Sequence, residues 1–167
     1  MPYRNKVFIS FDGDNDIHYY RLMRAWKQSD HTDFNFFDAH DINTARDTST
    51  EETIKRRLSE RLANAFVVVS LIGKHTRYHY KFVRWELEQA IKRGLPIIGV
   101  NLNGRRSQDT VLCPPIIRDE LAIHISFNAA ILQYALEDWP TKYASYRRNN
   151  ESGPYYYKRE VYTRLGL

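Results

Sequence analysis

Hydrophobic positions in this chain fall into short continuous runs, separated by stretches in which they recur at helical spacing. The runs are Lys6-Val7-Phe8-Ile9-Ser10, Phe34 to Phe37, Phe66 to Ile72 and Pro96 to Val100, with Ala122 to Ser126 as a weaker fifth. Short apolar runs bounded by turn residues predict strands. Phe66 to Ile72 is apolar almost throughout, which is the pattern of a strand buried on both faces. Between the first two runs, Ile17 to Trp26 puts Tyr20, Met23 and Trp26 on one helical face. Ser49-Thr50-Glu51-Glu52 is a capping-box pattern that opens a second helix, and Asn64 lies near its end. Ile54, Leu58 and Leu62 form the buried stripe of that helix, which leaves Lys55, Arg56 and Arg57 in solvent. Val83, Leu87, Ala90 and Ile91 define a third helix that stops at Arg93-Gly94. Asn128 to Leu136 predicts a fourth.

Strands alternating with helices of ordinary length predict parallel βαβ units. The expected fold is α/β, a flavodoxin-like open parallel five-stranded sheet of order 2-1-3-4-5 with helices on both faces. Residues 1–136 carry this domain. Residues 137–167 change character, with Tyr143, Tyr146, Tyr155, Tyr156, Tyr157 and Tyr162 interleaved with Lys and Arg at no clean period. They predict a Tyr-rich basic extension that either packs on the domain or offers a contact surface.

Composition narrows the function classes. With 43% hydrophobic residues in 167, the chain can fill one core. No apolar run approaches the roughly 20 residues of a membrane span, and the N-terminus has no secretory apolar segment, so no membrane partner is expected. The single cysteine, Cys113, excludes an internal disulfide and fits a reducing cytoplasm. A net charge of +5 favours an anionic partner. Tyr interleaved with Arg can stack on bases, but the basic excess is modest and nucleic acid is not the expected partner.

Candidate chemistry follows from the sheet. Open parallel sheets bind ligands beyond the strand carboxyl ends, near the topological switch point. The segments there are Ser10-Phe11-Asp12, Asp38-Ala39-His40-Asp41 and Ile72-Gly73-Lys74. Glu86 opens the helix after the third strand and so shares that rim. Its position between Val83 and Ala90 puts it at the margin of the apolar stripe, whereas Glu88 points away. A carboxylate at such a margin is expensive to desolvate unless its charge is used. Dinucleotide and P-loop glycine patterns do not follow any strand, and there is no nucleophile elbow. Asp12, Asp14 and Asp16 resemble the acidic pocket of phosphoryl-accepting receiver domains. The third strand, however, has Ser70-Leu71-Ile72 where a receiver needs its phosphoacceptor Asp. His75 and His79 have i,i+4 spacing but no cysteine or matching carboxylate, so no metal site is expected.

Together, Val7-Phe8-Ile9-Ser10-Phe11, Phe36-Phe37-Asp38, Ser70-Leu71-Ile72-Gly73-Lys74-His75-Thr76, Phe82-Val83-Arg84-Trp85-Glu86-Leu87 and Pro96-Ile97-Ile98-Gly99-Val100 resemble bacterial TIR-like domains. The closest likeness is to the group that serves as sensor in Thoeris antiphage defence. The resemblance covers roughly residues 5 to 103. It implies cleavage of NAD at the nicotinamide–ribose bond, with a cyclic or linear ADP-ribose signal as product. NAD is then substrate, and no cofactor is needed. The family's catalytic glutamate falls on Glu86, and the aromatic four residues earlier on Phe82. Substrate-binding positions fall on Phe11, Asp12, Asp38 and Gly73, and Phe11 and Phe82 are placed to sandwich a ring. Where many TIR enzymes carry a basic residue after the first strand, this chain has Asp12-Gly13; Arg46, Lys74 or Arg84 would have to grip phosphate instead. The resemblance also implies homo-oligomerisation on activation, a phage-derived trigger and a downstream effector reached through the nucleotide. The alternative is a non-catalytic TIR-like adaptor that acts through protein–protein assembly.

Overall fold

The computed structural model describes residues 6–28 and 50–167. The strand expected at 34–37, Asp38 and Arg46 lie outside the described residues. The described elements are β1 (Val7–Ser10), α1 (Ile17–Gln28), α2 (Glu51–Ala63), β2 (Val67–Ile72), α3 (Trp85–Lys92), β3 (Ile97–Asn101), β4 (Ala122–Ser126), α4 (Ala129–Arg148), β5 (Pro154–Tyr156) and α5 (Arg159–Arg164). Among the described residues the sheet has five strands in the order β1-β2-β3-β4-β5, every pair parallel. β1 lies beside β2, as expected for the first and third predicted strands.

Every residue of β2 is buried, which requires a helical layer on each face. Val7, Ile9, Val67, Val69, Ile98, Val100, Ile123 and Ile125 point to one layer, where Tyr20 and Met23 of α1 and Leu132, Leu136 and Trp139 of α4 meet them. Phe8, Val68, Ile97 and Ala122 point to the other, against Ile54, Leu58 and Leu62 of α2 and Leu87 and Ala90 of α3. Helix α2 begins one residue later than the capping box implied. Thr50 is the N-cap, and its side-chain oxygen accepts a hydrogen bond from the Thr53 backbone N–H at 3.2 Å.

One row of the sheet breaks the apolar pattern. Ser10, Ser70, Gly99 and His124 are successive partners across β1 to β4. They share the face of Phe8, Val68, Ile97 and Ala122, because side chains alternate along a strand. The imidazole of His124 leans over Gly99, where a Cβ would lie 2.7 Å from Nδ1. Burial lowers the His124 pKa to about 4, so the ring is neutral.

The C-terminal residues extend the main core. Helix α4 runs unbroken through position 136 and past Pro140. A proline normally ends a helix, but here Trp139, fully buried, anchors the helix against the sheet at that point. β5 then pairs with β4 and adds an edge strand that the sequence did not predict. The tyrosines pack inward: Tyr146 stacks on Tyr155 with centroids 4.6 Å apart, and Tyr157 and Tyr162 are buried. The Tyr157 hydroxyl donates to Asp138 at 2.9 Å.

The neutral state of His124 has a consequence for stability. The unfolded chain takes up a proton near pH 6.5 and the folded chain only near pH 4, so stability rises with pH between those values. The full difference is about 3 kcal/mol. In urea melts across that window, His124→Leu should flatten the rise relative to the wild type. Superimposable pH profiles would show that His124 is not the group responsible.

Candidate functional site

The carboxyl rim of the sheet is built from two loops. After β1, Phe11 stacks on Tyr20 of α1 with centroids 4.7 Å apart and planes 10° from parallel. Asp12 follows, fully buried. Its Oδ1 accepts from the backbone N–H groups of Asp14 at 3.0 Å and Asn15 at 3.3 Å, and its Oδ2 accepts from the Asn15 amide at 2.7 Å. The Nε2 of His79 is 3.0 Å from the same Oδ2. Burial pushes the Asp12 carboxyl up, but the Asn15 amide, His79 and the two backbone donors outweigh it and hold it below the usual range. Asp12 is therefore an ionised carboxylate that ties the β1 loop to the β2 loop.

The second loop leaves β2 at Gly73. Its N–H donates to Thr76 Oγ1 at 2.8 Å, and Thr76–Tyr78 form a single 3₁₀ turn. His79 then starts a π-turn, Tyr80–Arg84, closed by the Arg84 N–H on the His79 carbonyl at 3.0 Å. Isolated π-turns are rare and mark functional positions disproportionately. Helix α3 begins directly after it, so Glu86 lies in its first turn. The sequence put Glu86 at the margin of the apolar face; the structure buries it deeper, at 2% exposure, beside Leu87 at 0%. Glu88 is half-buried. Alongside, Lys55 of α2 sits 5.6 Å from the Trp85 ring centroid.

The predicted site residues separate into groups. Glu86 and Phe82 belong to the α2/α3 layer, with Phe82 half-buried against that core. Phe11 belongs to the α1/α4 layer. The two aromatics lie on opposite sides of the sheet and do not sandwich one ring. Gly73 is buried and lines a cleft on the α1 side of the rim. Lys74 and Arg84 are exposed and available to an anion. His75 and His79 diverge: His79 turns to Asp12, while the charge of His75 acts on Asp16.

The acidic grouping also differs from the expected one. Asp12 and Asp14 come together with His79, one ligand atom of each lying within 4.8 Å of the others. Asp16 is instead packed over Gly73. The Asp12 oxygens already accept hydrogen bonds from Asn15, so this trio is satisfied as a structural tie. Sequence reasoning missed the roles of His79 and Asp16. Both act across loops some sixty residues apart, and only the parallel pairing of β1 with β2 brings those loops together. Among the described residues no helix is long and apolar enough to cross a membrane.

An open parallel sheet with a helical layer on each face and its polar loops at the carboxyl rim makes this a flavodoxin-like α/β protein. A family model described as Thoeris protein ThsB, TIR-like domain, matches residues 8–107, more than half of the chain. The chain belongs to that family. The match spans the rim loops, Glu86 and β3; β4, α4, β5 and α5 follow it.

Phe11 is tested by stability. Its ring is 2% exposed against Tyr20, so Phe11→Ala should cost about 3–5 kcal/mol in unfolding free energy. A loss below about 1 kcal/mol would return Phe11 to a ligand-contacting role.

Proposed function

We propose that this chain is a TIR-like enzyme that cleaves NAD at the nicotinamide–ribose bond and releases a cyclic or linear ADP-ribose signal in antiphage defence. The observation that carries this reading is Glu86, a carboxylate 2% exposed in the first turn of α3, in a chain of the Thoeris TIR-like family. In the cleavage, the C–N glycosidic bond breaks and its electron pair leaves with nicotinamide. The pyridinium thereby becomes a neutral base and needs no general acid. The ribose carbon becomes oxocarbenium-like, as in other glycosyl transfers, and an ionised Glu86 stabilises it and binds ribose hydroxyls. Water capture gives linear ADP-ribose, and capture by an internal nucleophile gives a cyclic product. Phe82, one turn before Glu86, supplies an aromatic wall. NAD serves as substrate and no cofactor takes part.

This reading places the protein in the cytoplasm, with assembly of copies and a phage-derived trigger raising its turnover, and an effector responding to the product. The second reading is a non-catalytic adaptor, and one observation favours it: the rim at β1 is filled, with Phe11 stacked on Tyr20 and Asp12 satisfied internally. NAD turnover in lysates with and without phage, followed by mass spectrometry of the product, separates the two.

Glu86→Gln preserves size and removes charge. It should lower turnover at least roughly 100-fold while leaving thermal unfolding cooperative. Wild-type turnover in that variant would remove Glu86 from the chemistry.

Chelator should leave NAD cleavage unchanged, because no step needs a Lewis acid. A strict divalent-cation requirement would point to Asp12, Asp14 and His79 and to a different reaction.

A further inference from the structure

A second cleft, of about 420 Å³, opens on the α1 side of the rim. Its walls come from the start of α1 and the exits of β2 and β3. We propose that it is a binding site for a ribose 5-phosphate group, either a free sugar phosphate or the corresponding part of a mononucleotide, distinct from the Glu86 site.

The argument begins with Asp16. It is 7% exposed, and its Oδ2 has no hydrogen-bond partner among the described residues. A buried acceptor left in this state is costly. The same oxygen lies over Gly73, where any Cβ would collide with it. Asp16 and Gly73 both line the cleft, so this oxygen sits at its floor. Burial and the charge of Asp12 push the Asp16 carboxyl up, which adds to the cost of leaving it without a donor. Ribose hydroxyls are donors of the right kind for such an acceptor.

The rim of the cleft carries the opposite chemistry. Lys74, His75 and His18 line it and are exposed. Helix α1 starts here and has no acidic residue in its first turn, so its positive end adds to the attraction for an anion. Tyr19, half-buried, supplies an aromatic wall. A buried acceptor at the floor, cations at the mouth and one aromatic side match a phosphorylated pentose, with room for a base. The volume falls in the usual range for small-molecule sites.

Calorimetric titration of the full chain tests this with AMP, ribose 5-phosphate, 2′,3′-dideoxy-AMP and inorganic phosphate. AMP and ribose 5-phosphate should bind saturably, and the dideoxy analogue and phosphate about tenfold more weakly or worse. Tighter binding of AMP than of ribose 5-phosphate would identify a mononucleotide as the ligand; equal binding would identify the sugar phosphate. Asp16→Asn should weaken AMP about tenfold, and so should Lys74→Ala, whose exposed position leaves folding intact. Glu86→Gln should leave AMP affinity unchanged while NAD turnover falls, which separates this site from the reading above. The proposal is overturned if neither sugar phosphate binds or if phosphate alone binds as well as ribose 5-phosphate. It is equally overturned if Lys74→Ala has no effect, or if Glu86→Gln weakens AMP as much as Asp16→Asn does.

Discussion

Strand β2 has no exposed residue, and a strand buried on both faces needs a layer of helices on each side. The rest of the structure follows from that constraint. Parallel neighbours β1 and β3 complete its backbone hydrogen bonds, and crossovers return the chain to the same end of the sheet before each new strand. α1 and α4 close one face, and α2 and α3 close the other. The loops that leave β1 and β2 are thereby forced to adjacent positions on one rim.

Asp12 uses that adjacency. It is a buried carboxylate made tolerable by backbone N–H groups, an amide and His79. The bond to His79 fixes the start of the π-turn that leads into α3. Glu86 stands in the next turn, so its position depends on the β1 loop through a chain of polar contacts. Asp16, four residues after Asp12, faces the other way over Gly73. One short acidic loop therefore braces one side of the rim and lines a cleft on the other.

The C-terminal segment shows how composition can mislead. Interleaved tyrosines and basic residues read as a surface, yet most of that aromatic area is spent on the sheet edge. Trp139, Tyr157 and Tyr162 are buried in the same cluster as Ile123 and Ile125. Arg106 lies 4.2 Å from the Tyr162 ring centroid, so even the cations are partly used to cover aromatic faces. An edge strand and a short helix thus finish the sheet beyond β4.

By itself the sequence determined the local elements. Short apolar runs located β1 to β4 to within a residue, because burial on both faces leaves no polar position in a strand. The stripes Ile54, Leu58, Leu62 and Val83, Leu87, Ala90 located α2 and α3, because a helix shows its buried face every three or four residues. Glu86 was legible as a carboxylate against that stripe. Only the tertiary structure decided how deeply Glu86 is buried, that His79 pairs with Asp12, that Asp16 lies over Gly73, and that Phe11 and Phe82 occupy opposite layers. It also decided that helix α4 continues through Pro140 and that β5 joins β4. All of these depend on contacts between segments far apart in the chain, and residue spacing carries no record of which loops the sheet will bring together.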